Sequence, residues 1–435
     1  MSVNVSPKEL CGFIFHIEDK YNLNNFEIND VYIWQYLRMG IYYKLALALN
    51  IYEEPHKKSN LSFFEKIKFI PGLIKFSFVN NPYFKLSKFS DTDVLIFEHE
   101  RSKSINNQVG DIYSDHIVEL ELANGKRVSV IDKPESMNRN FLKTTWLDKR
   151  IYVDYIYVLN SLFSRFVPLK EKDRLFELAM DLEREFFRRF DISFDFYKLF
   201  CEGYKRYVMI YGLYDRLFKK LKPETLYIVV AYGFKDVVSA AKNNGVKVIE
   251  LQHGVVNKFH LGYSYTGLRF SDTYLPDEVI CWSDNWTKSI EWRVKKTSSI
   301  PFKYQVDMLN KYLDCNGDRN SVTVLSQGAI TFDILNYFIS KYDSIFSNID
   351  KVYYKLHPSE FSIRDTLSRE LGFANVVVVC GEIDLYEMFS VSHTVYGVFS
   401  TALFEAQEMR CKIKLFPLEG VEFVRDHPGF DLLDS

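Results

Sequence analysis

From about residue 226 to 416 the chain alternates short apolar runs with helix-spaced segments, and most of those runs end in a small polar or glycine-containing signature. Residues 226–231 lead into Tyr232-Gly233-Phe234, and 246–251 into Gln252-His253-Gly254. Residues 322–325 lead into Ser326-Gln327-Gly328, 352–356 into His357-Pro358, and 394–396 into Gly397-Val398-Phe399-Ser400-Thr401. Short apolar runs separated by helices imply parallel strands, because parallel neighbours need long crossover connections. In an open sheet of that kind, ligands sit beyond the carboxyl ends of the strands. The repeated polar closures therefore predict a lined cleft suited to a phosphorylated, nucleotide-like ligand.

The same alternation starts earlier. Residues 93–97 and 128–131 read as buried strands, and the segment between them, which contains 112–122, includes a helix. The interval 135–222 reads as helix, with Leu175, Ala179, Leu182, Phe186 and Phe190 at helical spacing downstream of Pro168. At 435 residues the chain exceeds the usual reach of one hydrophobic core. The expectation is an α/β protein of two Rossmann-like lobes with a cleft between them, 1–265 and 266–435, divided in the loop around 265–276. Extra helices belong to the N-terminal lobe.

A net charge of −2 argues against a general nucleic-acid binder, which needs concentrated positive charge. The six cysteines are scattered without a CxxC pair, as in a protein of reduced thiols rather than a disulfide or zinc framework. No secretion signal precedes the first helix pattern, and no apolar run reaches spanning length, so the expected location is cytoplasmic. Between residues 57 and 88 stand seven lysines against the single acid Glu65, interleaved with phenylalanines and a tyrosine. Such a segment can rest on an anionic membrane at the inner face of the cell, or it can be a solvated helix face over a core.

Several strand ends carry residues able to do chemistry. His357, aimed by Pro358, can donate to a phosphate. Gly397 followed by Ser400 and Thr401 at a helix start provides N–H groups, hydroxyls and a favourable dipole end for an anion. Glu405, one turn on, could accept from ribose hydroxyls. Ser326, Gln327 and Gly328 suit a diphosphate or a base edge, and Glu382 after Gly381 could read a base or sugar. In the N-terminal half His253 is the candidate general base, while Glu98, Asp111 and Asp115 are alternatives that spacing cannot separate. The chain has no GxxxxGK[ST], HExxH or GxSxG motif and no carboxylate cage, so neither cofactor nor tightly held metal is expected.

With Gln252-His253-Gly254 at one strand end, Lys355-Leu356-His357-Pro358 at another and Gly397 to Ala406 at a third, the chain resembles bacterial GT-B-fold glycosyltransferases of capsule and lipopolysaccharide assembly. The His-Pro and Ser/Thr elements resemble the phosphate-binding pair of sialyltransferases and Kdo transferases, which use CMP-sugars. The same order of motifs also resembles the polyglycerol-phosphate transferases of teichoic acid synthesis, where the base would fall on His253. The resemblance spans about residues 226–410. This chain lacks the paired-acid-glycine base motif of the sialyltransferases, and it has Gln252 where the teichoic enzymes have tryptophan. The resemblance implies a metal-independent GT-B glycosyltransferase that extends a cell-surface glycan or lipid-linked acceptor from a nucleotide-sugar, CMP-linked by preference. The donor would sit in the C-terminal lobe and the acceptor in the N-terminal one. A CDP-polyol phosphotransferase, a sugar-nucleotide epimerase or hydrolase, and a non-catalytic scaffold are the alternatives.

Overall fold

The computed structural model describes residues 5–52, 63–83, 92–99, 101–105, 108–134, 143–265, 270–282, 294–297, 303–313 and 319–433. Two parallel sheets organise them. The first contains β1 (Val94–Phe97), β4 (Val128–Asp132), β5 (Arg150–Tyr152), β6 (Thr225–Val229), β7 (Lys247–Leu251), β8 (Glu278–Ile280) and β9 (Lys295–Thr297), in the order β5-β4-β1-β6-β7-β8-β9. An antiparallel hairpin of β2 (Ser102–Ile105) and β3 (Gln108–Asp111) is inserted after β1. The second sheet contains β10 (Ser321–Leu325), β11 (Lys351–Lys355), β12 (Val376–Val379), β13 (Ser392–Gly397), β14 (Lys412–Leu415) and β15 (Phe430–Leu432), in the order β12-β11-β10-β13-β14-β15. The α/β class and the two Rossmann-like lobes are those the sequence predicts.

Both orders fold back on themselves. The first sheet grows outward from β1 through β4 to β5, then restarts at β6 on the other side of β1. The second grows from β10 through β11 to β12, then restarts at β13 beside β10. Each lobe thus has a topological switch point, between β1 and β6 and between β10 and β13, where adjacent connections diverge and leave a crevice.

Strand β1 shows why the sheet is covered on both faces. Val94 and Ile96 enter one apolar core with Ile117 and Val118 of α4 (Asp115–Ala123), whereas Leu95 and Phe97 enter another with Tyr214 and Leu217. Strands buried on both sides read as continuous apolar runs, which is why the sequence reveals them. The first of these cores also takes in Leu325, Tyr386 and Phe389, so the two lobes share one continuous apolar contact.

The chain remains in the first sheet longer than the 265/266 division expects, since β8 and β9 pair with its edge. Gln252 fastens this return: its buried side chain accepts from the Trp282 backbone N–H (2.9 Å) and donates to the Gly254 carbonyl (2.9 Å). Strands β5, β9 and β15 are three residues each, too short to stand out as apolar runs.

The extra helices of the N-terminal lobe form a layer of their own. Helices α1 (Pro7–Lys20), α2 (Ile33–Ala48), α6 (Lys172–Phe190) and α7 (Phe196–Leu221) enclose an aromatic core built on Trp34, Phe186, Phe196 and Phe200. The expected stripe of Leu175, Ala179, Leu182, Phe186 and Phe190 is buried along α6. Within this layer Arg38 is fully buried against Glu18, with Arg38 Nη2 donating to Glu18 Oε2 (2.8 Å), and it also donates to the carbonyls of Leu261 and Ser264. That pair anchors the segment after β7 to the helical layer. Of the basic segment 57–88, residues 57–62 and 84–88 lie outside the described residues, while 63–78 form helix α3 (Phe63–Phe78).

Candidate functional site

The polar strand ends of the two lobes meet in two adjoining chambers. The first encloses about 320 Å³. From the C-terminal lobe it receives Ser326 after β10, Lys355 at the end of β11 and His357 just after it, Ser400 after β13, and Glu405 of α13 (Ala402–Glu408). From the N-terminal lobe it receives Arg101, just beyond β1. Tyr113, Trp282, Tyr304 and Tyr386 provide its aromatic walls.

His357 is held in one orientation. Its Nδ1 accepts from the Ser359 backbone N–H (3.2 Å), capping the 3₁₀ turn Pro358–Ile363, and Glu360 reciprocates at the His357 N–H. With Nδ1 engaged as an acceptor, the proton of the neutral ring resides on Nε2, which is thereby a donor. Desolvation by its surroundings, then Arg101 and Lys355, lower its pKa to about 4. At neutral pH His357 is therefore an uncharged donor, and the positive charge in the chamber comes from Arg101 and Lys355.

Close packing fixes the turns around it. A Cβ on Gly328 would stand 1.9 Å from Ser359 Oγ and 3.3 Å from His357 Nδ1, so any larger residue would have to turn the Ser359 hydroxyl aside and crowd the His357 ring. Gln327 is buried and accepts from the Phe399 N–H (2.9 Å), locking the β10 turn to the β13 turn across the switch point. Ser326 donates to the buried Glu360 (2.6 Å). Gly397 serves packing: a Cβ there would lie 3.2 Å from Leu403 and 3.5 Å from Leu325. Helix α13 has only seven residues, so its dipole is a short one and the side chains carry most of the attraction for an anion. Glu382 does not line the chamber; it pairs with Arg364 (2.6 Å) and accepts from the Cys380 N–H (2.6 Å).

The second chamber encloses about 360 Å³ between the lobes. Helix α2 contributes Met39, Tyr42 and Tyr43, the segment after β7 contributes His253 and Gly254, and Thr401 and Phe423 come from the C-terminal lobe. Ser400 and Thr401 are thus divided, one in each chamber. Gly254 and Thr401 mark a close approach of the lobes, because a Cβ on the glycine would meet Thr401 Oγ1 at 3.7 Å.

Arg101 lines both chambers. Its Nη1 donates to Tyr113 Oη (2.7 Å), which donates in turn to the His253 carbonyl (3.1 Å). The His253 ring lies 3.3 Å from Tyr232 Oη through Nε2, and its buried Nδ1 has no hydrogen-bond partner among the described residues. Burial, then His260, His99 and Arg101, lower its pKa to about 3, so the ring is neutral and one nitrogen remains uncommitted.

The carboxylate candidates do not reach either chamber. Glu98 is buried and binds Arg150 with both oxygens (2.6 and 3.0 Å), with Lys143 3.2 Å away. Asp111, also buried, accepts from the N–H groups of His99 (2.6 Å), Tyr113 (2.8 Å) and Ser114 (3.1 Å) and pairs with Lys143 (3.3 Å). Together they shape the turn that presents His99 and Arg101. Asp115 accepts from Trp146 Nε1 (3.1 Å). Burial, followed by Glu98 and Asp111, raises its pKa to about 7. Arg101 and Lys355 are the site residues that sequence reading passes over; both stand within a few residues of a strand end, and their charge was the available signal.

No protein-family model and no curated protein matches this chain. Among solved structures it is similar to MurG of Acinetobacter baumannii (11% identity over 79% of this chain and 86% of that one, TM-score 0.40). It is also similar to the calicheamicin glycosyltransferase CalG4 (11% identity, 79% and 85%, TM-score 0.41). A third is the α,α-trehalose 6-phosphate synthase of Burkholderia multivorans (10% identity, 79% and 86%, TM-score 0.44).

Proposed function

We propose that this chain is a metal-independent glycosyltransferase of GT-B architecture. It would transfer a sugar from a nucleotide-activated donor, CMP-linked by preference, to a growing cell-surface polysaccharide. The observation that supports this most is the convergence of Ser326, His357 and Ser400 from three strand ends of one lobe with Arg101 from the other lobe in a single chamber. The donor phosphate would take hydrogen bonds from His357 Nε2 and the Ser400 hydroxyl, and charge from Arg101 and Lys355, while Ser326 holds the turn through Glu360. Those interactions strengthen as the sugar–phosphate bond breaks and negative charge accumulates on the leaving oxygen. Tyr304 and Tyr386 offer rings for a base, and Glu405 a carboxylate for ribose hydroxyls.

The acceptor would occupy the second chamber, whose tyrosines and phenylalanines suit the C–H faces of sugar rings. Its hydroxyl would attack the anomeric carbon while His253 takes the proton. Burial, then the neighbouring histidines and last Arg101, oppose a charge on His253. An anionic donor beside Arg101 would offset that last contribution, a change in the direction of a stronger base. A second reading, transfer of a polyol phosphate from a CDP-linked donor, is favoured by one feature: two cations face the chamber, more than a single phosphodiester calls for.

The test is a thermal-shift panel of CMP, CDP, UDP, GDP and ADP on the wild type and on His357→Ala. Stabilisation by one nucleotide, lost in the variant, supports the donor chamber and names the donor class. A diphosphate response would move the donor assignment from CMP. A folded protein that responds to none of them refutes the nucleotide-donor reading.

A further inference from the structure

The N-terminal lobe carries a second candidate binding site that shares no lining residue with the two chambers of the cleft. Helix α3 packs along α5 (Asp154–Phe163), which continues into the 3₁₀ turn Ser164–Phe166. Between them and α7 lies a cavity of about 460 Å³, lined by Ile74, Phe78, Tyr83, Val158, Leu159 and Leu213 among others, with Arg216 at its edge.

Three of its lining side chains, Ile74, Phe78 and Tyr83, are 41% to 58% exposed, and Leu162, Phe163 and Phe166, at the end of α5 and in the turn after it, are 48% to 68% exposed. Scattered exposed apolar residues are ordinary, but six on two packed helices and the segments that follow them, beside an apolar cavity, mark a surface that is covered in use. The charge pattern indicates what covers it. No acidic residue occurs from Pro71 to Tyr83 or from Tyr155 to Lys170, whereas Lys75, Arg165 and Lys170 do. Arg216 and Lys220 add positive charge at the edge, Lys220 Nζ standing 4.5 Å from the Tyr83 ring centroid.

We propose that this face docks on an anionic lipid bilayer and that the cavity admits an acyl chain. The aromatic and aliphatic side chains would enter the headgroup–acyl boundary while the cations meet lipid phosphates, the arrangement by which interfacial helices hold a membrane without crossing it. Among the described residues no helix is long and apolar enough to span a bilayer, so the contact is one of surface insertion. Sequence reading placed a membrane contact in residues 57–88 alone; the surface proposed here adds α5 and the Ser164–Phe166 turn, which that segment does not contain.

The experiment is flotation of the full chain with vesicles of phosphatidylcholine alone and of phosphatidylcholine with one part in three phosphatidylglycerol. It is run on the wild type and on the double variant Phe78→Ser, Phe166→Ser. Both phenylalanines are exposed, at 58% and 68%, so the melting temperature should hold and serves as the folding control. The expected result is flotation with the anionic vesicles and partitioning weakened at least about tenfold in the variant, from the lost apolar insertion. The nucleotide-induced thermal shift should be the same in both proteins, which separates this proposal from the donor assignment. Absence of flotation, or flotation that the variant leaves intact, overturns it. So does a solution dimer that the variant dissociates in a protein that ignores both vesicle types.

Discussion

Glu98 is the residue at which a structural and a catalytic role make opposite predictions, and Glu98→Gln separates them. The side chain is buried, and three charge-assisted contacts reach it: Arg150 at 2.6 and 3.0 Å and Lys143 at 3.2 Å. Glutamine keeps the volume but turns one acceptor oxygen into an NH₂ group, which must then face a guanidinium or an ammonium. Each charged hydrogen bond contributes roughly 1.5–3 kcal/mol net, and breaking one side of a buried ion pair costs about 3–5 kcal/mol. Asp132, 3.1 Å from Arg150, and Asp111, 3.3 Å from Lys143, remain as partners, which places the expected loss near the lower end, about 3 kcal/mol. For a lobe of this size that corresponds to a fall in Tm of roughly 6–12 °C. Calorimetry with and without nucleotide measures it. The nucleotide-induced shift should persist, because the C-terminal residues of the donor chamber are untouched. A variant that melts within about a degree of the wild type while turnover falls by roughly three orders of magnitude, the scale of a lost general base, would sink the structural assignment.

Four further outcomes follow from the same geometry. Arg101→Met should weaken nucleotide binding about tenfold, the equivalent of one charge-assisted hydrogen bond, and more at low ionic strength than at high; isothermal titration at two salt concentrations checks it. The same substitution should raise the imidazole pKa of His357, since Arg101 is the second contributor to its depression, and a ring-proton NMR titration reads this directly. Asp115 has a folded pKa raised to about 7, so it binds its proton more tightly in the native state. Its stabilising contribution is complete below the unfolded carboxylate range and is lost as pH rises through 7, and Asp115→Asn should flatten that part of the Tm–pH curve. Gly328→Ala should drive Ser359 and His357 from their positions and impair nucleotide binding. Adding Ser359→Ala, which removes the oxygen at 1.9 Å, should restore part of it, as a thermal-shift assay of the single and double variants would show.

The parts of the fold legible in the sequence were those set by repetition. Strands buried on both faces, such as β1 and β10, announce themselves as unbroken apolar runs, and the α6 stripe by its spacing. Three-residue strands carry too little pattern, and the pairing of β8 with β7 depends on where a 26-residue connection returns, which no local rule specifies. In the site, sequence position found the strand ends but not the direction of the side chains there. Ser400 and Thr401 are neighbours that face different chambers, and Glu382 turns to Arg364. Asp111 was readable as a polar group near the cleft, but not as the acceptor of three backbone N–H groups. Arg101 matters because it reaches across to the other lobe, a relation between residues some 250 positions apart that lies outside what a one-dimensional pattern records.

The fastening of the His253 segment has a consequence for how such a chain can diversify. Arg38 holds that segment through the carbonyls of Leu261 and Ser264, and every amino acid supplies a carbonyl. The side chains that face the second chamber can therefore be exchanged by mutation without surrendering the grip, provided the backbone path is kept. A single buried guanidinium in the helical layer thus separates the persistence of the scaffold from the identity of what it recognises. The inherited constraint falls on Arg38 and Glu18, together with His253 and Gly254, while the other side chains that face the second chamber are free to drift.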